Sequence, residues 1–510
     1  MKDKFTPEDL RQLNKEYLER MRKCDLINLT FRLRNFSIEL YELLNIDSNN
    51  SSKPPSSDNP YKKRTTTEET ECAEPIDADI SGDDVEPDID DKQPNQNDEA
   101  HNDAETKRQP GRQPGSQGFW RKQKPEPDFK EHHYPQNCII CGIKLSESAQ
   151  PHMAHYTYEL ERKENGIVIL CTLHYYYAAV CECGHENIEK PGEGYISVLD
   201  GRKRNVKLSE YTIVGPMLSA FIAALNRRSG MSRQKIQEHL RTWMNFDLSI
   251  GLICKSIREA GIACYPVVDE LINDLQKEEH VHFDETPWFE KGLFRWLWVA
   301  ISKRTAVYRI GTRKKDELLH LITEAFIGWL ITDGYRAYRS YPHRQRCLAH
   351  LIRKAVRLTG AVDDEARKMG EWFLREMRGL LKTMAEGEDG RKQCGPILAR
   401  FKKACNLGSK SDHARLKSFA NEILNDWDAV VAFVKNPGLP ATNNEAERAL
   451  RWAVIFRKIT FGTRTEEGSR SFSALLSVIE TCRLRNIEPW EYIAQVIALA
   501  RKGIAPLPMA

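Results

Sequence analysis

The chain has 510 residues and a formal net charge of +3, more than one hydrophobic core accommodates, so several domains are expected. Residues 66–105 hold sixteen Asp and Glu against one Lys, a local charge of −15 that leaves about +18 on the rest, and a surface of that sign seeks phosphate. No signal peptide is found and no apolar run approaches the roughly 20 residues of a membrane span. A soluble, intracellular protein without membrane contact is expected, and thirteen cysteines then read as buried thiols or metal ligands rather than disulfides.

In chain order, Thr6-Pro7-Glu8 is a helix start, with Pro7 in the first turn. Leu10, Leu13, Tyr17, Met21 and Cys24 follow at helical steps, a stripe that suits a short coiled coil or equally an amphipathic helix packed on its own protein. Residues 46–130 lack periodicity and are rich in Ser, Pro, Asn and acid, the composition of a disordered linker. It ends in a basic Pro- and Gly-rich run that could follow a DNA groove or be a plain solvated linker. Cys138-Ile-Ile-Cys141 and Cys181-Glu-Cys183 could together hold a structural Zn²⁺ in a zinc-ribbon-like segment, the competing reading being four unligated cysteines. Cys171 and His174 lie within the apolar strand between them and read as core.

From Ser209 to Ala260 the pattern is helical, with Ser232 and Ser249 placed as caps and Arg227, Arg228, Arg233 and Lys235 around the first turn. A helix-turn-helix DNA reader and a three-helix packing unit without DNA contact both fit. Beyond residue 278, V-H-F-D-E-T, F-R-W-L-W-V-A-I and A-V-Y-R-I predict an antiparallel meander. A helix and the strand G-W-L-I-T-D come next, the opening of a ribonuclease-H-like sheet in which the first and fourth strands lie side by side. Asp284 and Asp333 would then meet.

Glu447 lies one turn into a helix that opens T-N-N-E-A-E-R, where Thr442 and Glu445 are spaced as a capping box that leaves Glu447 free. Arg448 and Arg451 share this helix and could contact phosphate, although Arg451 is also at ion-pair spacing from Glu447. Each aspartate taken alone could be an ordinary strand-end cap. The trio Asp284, Asp333 and Glu447 comes from three separate elements, and a shared ligand is the natural reason for it to converge. Two divalent metals bridged by carboxylates cut and join phosphodiesters, and hard oxygen ligands favour Mg²⁺ or Mn²⁺.

From about residue 110 to 500 the chain resembles a transposase of the insertion sequence 66 family, a bacterial group of Asp-Asp-Glu type. The resemblance rests on Q-P-G-S-Q-G, the cysteine knuckles, H-F-D-E-T-P, D-G-Y-R-A-Y, C-L-A-H-L-I-R-K and above all T-N-N-E-A-E-R-A-L-R-W with S-V-I-E-T-C-R-L-R-N-I-E-P-W. It implies catalytic, metal-holding roles for Asp284, Asp333 and Glu447, with Cys347 and His350 outside the ligand set. Two departures are the one-residue gap in the second cysteine knuckle and the long acidic linker.

The expected fold is multidomain α+β. It comprises an N-terminal helical or coiled-coil segment (1–45), the linker (46–130), a zinc-binding segment (131–200), a helical DNA-binding region (201–275), a ribonuclease-H-like catalytic domain (276–360 and 436–490) with a helical insertion (361–435), and a C-terminal helix and tail (491–510). The expected function is a transposase acting on double-stranded DNA at element ends and target with two Mg²⁺ or Mn²⁺ ions, as a homodimer or higher oligomer, in the bacterial cytoplasm near the nucleoid. The resemblance adds small accessory transposition proteins as partners. The alternative is a catalytically inactive DNA-binding regulator derived from a transposase.

Overall fold

Asn14 starts the first helix, its side chain accepting from Tyr17 N at 2.9 Å. α1 (Lys15–Glu19) stops at Arg20, and α2 (Lys23–Leu44) begins after Arg22, whose guanidinium pairs with Asp25 at 2.9 Å in the new first turn. The expected stripe from Leu10 to Cys24 is therefore divided between elements and does not form one continuous helix. The structure is a computed structural model that describes residues 5, 10, 12–44, 125–145, 149–164, 166–199, 203–323 and 325–509. The helix start at Thr6-Pro7-Glu8 and the linker up to residue 124 lie outside the described residues. Contacts divide the chain into Met1–Asp58 with Glu126–Ala510 and a second unit, Asn59–Pro125; the elements below all belong to the first.

β1 (Phe129–His133), β2 (Gln150–Lys163), β3 (Gly166–Val180) and β4 (Glu186–Ile188) form one sheet. The long β2–β3 hairpin is antiparallel, β1 lies parallel along β3, and β4 pairs with the end of β3. β5 (Glu193–Leu199) and β6 (Lys203–Ser209) make a separate ribbon. Four helices follow: α3 (Pro216–Arg227), α4 (Arg233–Met244), α5 (Ile250–Ala263) and α6 (Tyr265–Leu275). Ser232 and Ser249 cap α4 and α5 through Lys235 N and Leu252 N. The first turn of α3 is capped from the hairpin, Glu159 accepting from Leu218 N at 2.8 Å.

β7 (His280–Glu290), β8 (Leu293–Ile301) and β9 (Ala306–Gly311) are the expected meander. After the short α7 (Lys315–Leu319), β10 (Trp329–Thr332) lies parallel beside β7, and β11 (Arg344–Arg346) lies parallel beside β10, giving the order β11-β10-β7-β8-β9. Strand alternation divides these residues between two cores. Val281, Phe283, Trp298, Ala300 and Val307 face one apolar cluster that also takes in Ala260, Leu271, Leu475 and Ile497. Trp288, Leu297, Val299 and Tyr308 face another with Ala446, Leu450, Phe456 and Phe472. The first cluster runs without interruption across residue 275, so α5 and α6 share the core of the sheet.

α8 (Leu348–Thr359), α9 (Asp364–Met384), α10 (Glu388–Gly408), α11 (Ala414–Leu424), α12 (Trp427–Val430) and α13 (Ala432–Lys435) have a core of their own around Leu351, Phe373, Phe401 and Phe419. α14 (Asn444–Thr460), α15 (Glu466–Leu484) and α16 (Pro489–Arg501) return to the sheet. Arg501, 2% exposed, joins α16 to α5 through Glu259 at 2.8 Å. The whole is a mixed α+β structure, and among the described residues no helix is long and apolar enough to cross a membrane.

Candidate active site

Period-two alternation puts Asp284 and Glu285 on opposite faces of β7. Asp284 stands opposite Val299, on the face that α14 covers. Ile331 pairs with His282 across the parallel β10–β7 ladder, so Asp333, two residues further on, comes level with Asp284. Asp333 Oδ1 accepts from Tyr335 N at 2.8 Å, a local turn that holds the D-G-Y segment. Next to it, a Cβ on Gly334 would come within 2.4 Å of the Arg346 guanidinium, and that guanidinium is pinned in buried ion pairs. The absence of a side chain at Gly334 is what allows this approach.

α14 is tied to β7 by one fully buried side chain. Asn443 donates from Nδ2 to Phe283 O at 2.6 Å, and its Oδ1 accepts from His282 Nδ1 at 3.1 Å; Cys347 Sγ in turn accepts from Asn443 N at 3.1 Å. Asn443 is also the residue that caps α14, and it makes no side-chain capping bond. The expected Thr442–Glu445 capping box is therefore not formed. Glu445 pairs instead with Arg448 at 3.0 Å, because Asn443 is already committed to the strand. Replacing Asn443 with Ala would leave a buried carbonyl and a buried imidazole N–H unpaired, which costs about 1–3 kcal/mol. Urea unfolding should show this as a lower midpoint, and an unchanged midpoint would remove Asn443 from this role.

The carboxylates repel one another. Burial pushes Asp284 well above the usual carboxylate range, and the charges of Glu285, Asp333 and Glu447 push in the same direction. Among the described residues its side chain makes a local hydrogen bond, from Glu285 N at 2.9 Å. Glu285 is raised by burial and by Asp333, against bonds from Tyr338 OH at 2.6 Å and Arg313 at 2.8 Å. A buried carboxylate with acidic neighbours and hard oxygen donors is an environment that a divalent cation would stabilise.

Glu447 is engaged elsewhere. Arg353 donates to its Oε1 at 2.8 Å, His350 Nδ1 is 3.5 Å away, and its carboxylate gathers with Cys347 and His350 within 4.8 Å. Asp284 and Asp333 are not in that group. Burial and the charges of Arg353, Lys354 and Arg346 push His350 down to about 3, so its ring is neutral. The pairing of Glu447 with Arg353, rather than with Arg451, was missed from sequence. Its signal was C-L-A-H-L-I-R, where His350 and Arg353 share a helix face at three-residue spacing.

A family model described as Transposase IS66 family matches residues 211–471. The chain belongs to that family. Two relatives are the uncharacterized proteins y4qI and y4jD of Sinorhizobium fredii, 23% identical over 322 residues and 27% identical over 268. These alignments cover 56% and 46% of this chain, and 59% and 52% of the relatives. The chain thus spans little more than half the length of the curated relatives it matches. A shorter stretch of 76 residues is 36% identical to y4hP of the same organism. The family match begins before α3 and ends inside α15, and so takes in all three acids.

The other cluster singled out by the sequence is also assembled. The sulfurs of Cys138, Cys141, Cys181 and Cys183 lie within 4.8 Å of one another, with Cys138 and Cys183 3.6 Å apart and Cys141 and Cys181 3.4 Å apart. Each knuckle turns through a glycine with positive φ, Gly142 at 75° and Gly184 at 86°, which the tight return to the metal side requires. Amide donation within the first knuckle lowers the Cys138 thiol to about 6. In the second knuckle amide donation is outweighed by burial and the neighbouring thiols, which raise Cys181 to about 12 and Cys183 above its ordinary value, so a metal would have to displace protons there. The shorter second knuckle has not prevented the four sulfurs from meeting.

The basic residues fare differently. Arg227 lies over the rings of Phe472 and Phe456, at 5.3 and 5.8 Å, and burial lowers its guanidinium to about 9; this commits it to packing, away from a phosphate contact. Arg228 lies over Trp452 at 5.7 Å and 3.7 Å from Glu480. Arg233, Lys235 and Arg451 are exposed, and Arg448 is exposed beside Glu445.

Proposed function

We propose that this transposase-family chain is a DNA transposase of Asp-Asp-Glu type with a ribonuclease-H-like core, which nicks the ends of its element and joins them to target DNA. The observation that carries the reading is the parallel β10–β7 ladder, whose register makes Asp333 level with Asp284 while Asn443 ties the Glu447 helix to the same strand. Asp284, Asp333 and Glu447 would hold Mg²⁺ or Mn²⁺. When bound, two such ions would supply charge stabilisation to the attacking and leaving oxygens of the phosphodiester. The chain's own residues orient that chemistry: Asp284 from the strand, Asp333 from the turn, and Glu447 after exchanging Arg353 for metal. Arg353, once released, is a cation free to meet the DNA backbone.

Arg233 and Lys235 at the start of α4, with Arg448 and Arg451 on α14, are the proposed phosphate contacts, and helices 201–275 the proposed DNA-reading region. The four cysteines would hold a structural Zn²⁺ in the 131–200 segment, with residues 361–435 as the insertion. The proposed boundaries at 130, 200, 275 and 360 move, since β1 spans the first, the β5–β6 ribbon the second, one apolar core the third, and α8 packs with the insertion. Double-stranded DNA, a second copy of the chain at synapsis and small accessory proteins are the proposed partners, and the bacterial cytoplasm near the nucleoid the proposed location. Replacing cysteine by serine at Cys181 should reduce and shift the thiolate charge-transfer absorption of the cobalt-substituted protein; an unchanged band would exclude Cys181 as a ligand.

One observation favours a second reading, a DNA-binding regulator without catalysis: Glu447 is held by Arg353, with His350 beside it. The two readings separate in one assay. Purified protein is incubated with Mn²⁺ and a labelled duplex carrying the sequence that flanks its own gene, beside Asp333→Asn. Nicking at the element boundary by the wild type alone supports the transposase, and boundary-specific binding without nicking, with accessory proteins added, supports the regulator.

A further inference from the structure

The β1–β3 edge carries a second cluster of metal-ligand type, separate from the four cysteines and from the acids. Glu131 and His133 alternate onto one face of β1, and the parallel register sets Glu131 directly beside His174 of β3. His133 Nε2 is 3.1 Å from His174 Nδ1, Glu131 Oε2 is 3.2 Å from the same Nδ1, and Glu131 Oε2 is 3.8 Å from His133 Nε2. The three donor atoms form one closed triangle, all within 4.8 Å. Two nitrogens and a carboxylate oxygen around a tetrahedral Zn²⁺, at bonds of about 2.0–2.2 Å, are separated by roughly 3.3–3.5 Å. The three edges bracket that value.

Hydrogen bonding satisfies this triangle only in one tautomer, with a single proton on His174 Nδ1 shared between Glu131 and His133. A neutral imidazole nitrogen is either a donor or an acceptor. If His174 Nδ1 accepts from His133, it has no proton for Glu131 and sets a lone pair against a carboxylate. If it donates to Glu131, it and His133 Nε2 share one proton or oppose two. A single cation at the centre meets all three lone pairs at once. Across the sheet His155 of β2 stands directly opposite His174. Its Nε2 is 3.2 Å from Glu210 O, and its buried Nδ1 has no hydrogen-bond partner among the described residues. This row therefore holds one further acceptor in need of a donor.

We propose that Glu131, His133 and His174 form a second divalent transition-metal site, for Zn²⁺, whose role is to fasten β1 to β3. The mixed nitrogen and oxygen donors suit Zn²⁺ over the hard ions expected at the acidic site. β1 has five residues, four of them exposed and none fully buried, so beyond its ladder to β3, the His132–Tyr177 hydrogen bond and the Asp128–Cys171 bonds, side-chain burial adds little and a metal would strengthen the attachment. The strand leads within five residues from His133 to Cys138, and its anchoring sets the approach of the first cysteine knuckle.

The test uses the full chain, washed with a weak chelator, with zinc counted by mass spectrometry and cobalt substitution read by absorption. Wild type is expected to hold about two zinc ions per chain. His133→Gln, with a side chain that is partly exposed and so tolerant of exchange, is expected to lose one of them while keeping the thiolate charge-transfer band; Glu131→Gln should weaken the same ion. Cys181→Ser should weaken and shift the band and keep the ion bound by histidine. Because His174 lies within the hairpin, His174→Ala is used only with circular dichroism to verify folding. Zinc content unchanged in both His133→Gln and Glu131→Gln would overturn the proposal. So would a second ion that the weak chelator removes from wild type and variants alike.

Discussion

Asp284→Asn is expected to raise the thermal midpoint of the metal-free protein while reducing metal-dependent nicking by more than about 100-fold, a loss that even outer-shell metal partners approach. The first effect follows from linkage. Burial and the neighbouring acids raise Asp284 in the folded state, so its contribution to stability is present below the unfolded value of about 3.9 and is lost as pH rises through the folded one. At neutral pH the unfolded carboxylate is ionised, and folding must either bury that charge or take up a proton, so the side chain works against the fold and an amide of the same shape relieves it. Mn²⁺ should act in the opposite direction on wild type, adding about 2.7 kcal/mol at a hundred times its Kd, and should shift the variant much less. Thermal scans with and without Mn²⁺ at pH 7 measure both effects. An equal metal-induced shift in the two proteins would count against Asp284 as a ligand.

Asp426→Ala should be among the most destabilising single changes in the chain. Asp426 is buried and accepts from Arg344 Nη2 at 2.5 Å, from Arg344 Nη1 at 3.2 Å and from Arg346 Nη1 at 3.3 Å. Burial alone would raise its pKa, but the bonds and charges of the two arginines outweigh that and hold it below the ordinary value. Its contribution is thus present above the unfolded pKa and fades as pH falls through the folded one. Removing the carboxylate leaves the buried Arg344 guanidinium without a charged partner and Arg346 with Glu422 alone, and breaking a buried pair in this way costs about 3–5 kcal/mol. Both arginines belong to β11, beside the strand that leads to Asp333, so nicking should fall with stability. Denaturant unfolding checks the first part, and a loss under about 1 kcal/mol would mean that the arginines find other partners.

Much of the site was legible because its parts are local. Alternation along V-H-F-D-E-T identifies the strand and the face of Asp284, and two short cysteine pairs announce their own turns. The meander also followed from spacing, since its two gaps are of hairpin length, and the ribonuclease-H-like reading put the fourth strand beside the first. Burial and pairing were not legible in the same way. Arg227 reads as a phosphate contact until Phe456 and Phe472 arrive from more than two hundred residues away to cover it. Glu131, His133 and His174 read as unrelated residues until β1 is laid on β3.

The sequence by itself determined which residue types were available and on which side of each strand or helix they stand, because those depend on dihedral periodicity within a few residues. Only the tertiary structure decided what each charge meets. Glu447 is paired with Arg353 and held near His350, not with the aspartates or Arg451, because ion pairing depends on distance and desolvation between elements 94 residues apart in the chain. The string C-L-A-H-L-I-R puts His350 and Arg353 on one helix face but does not encode how near that face lies to Glu447.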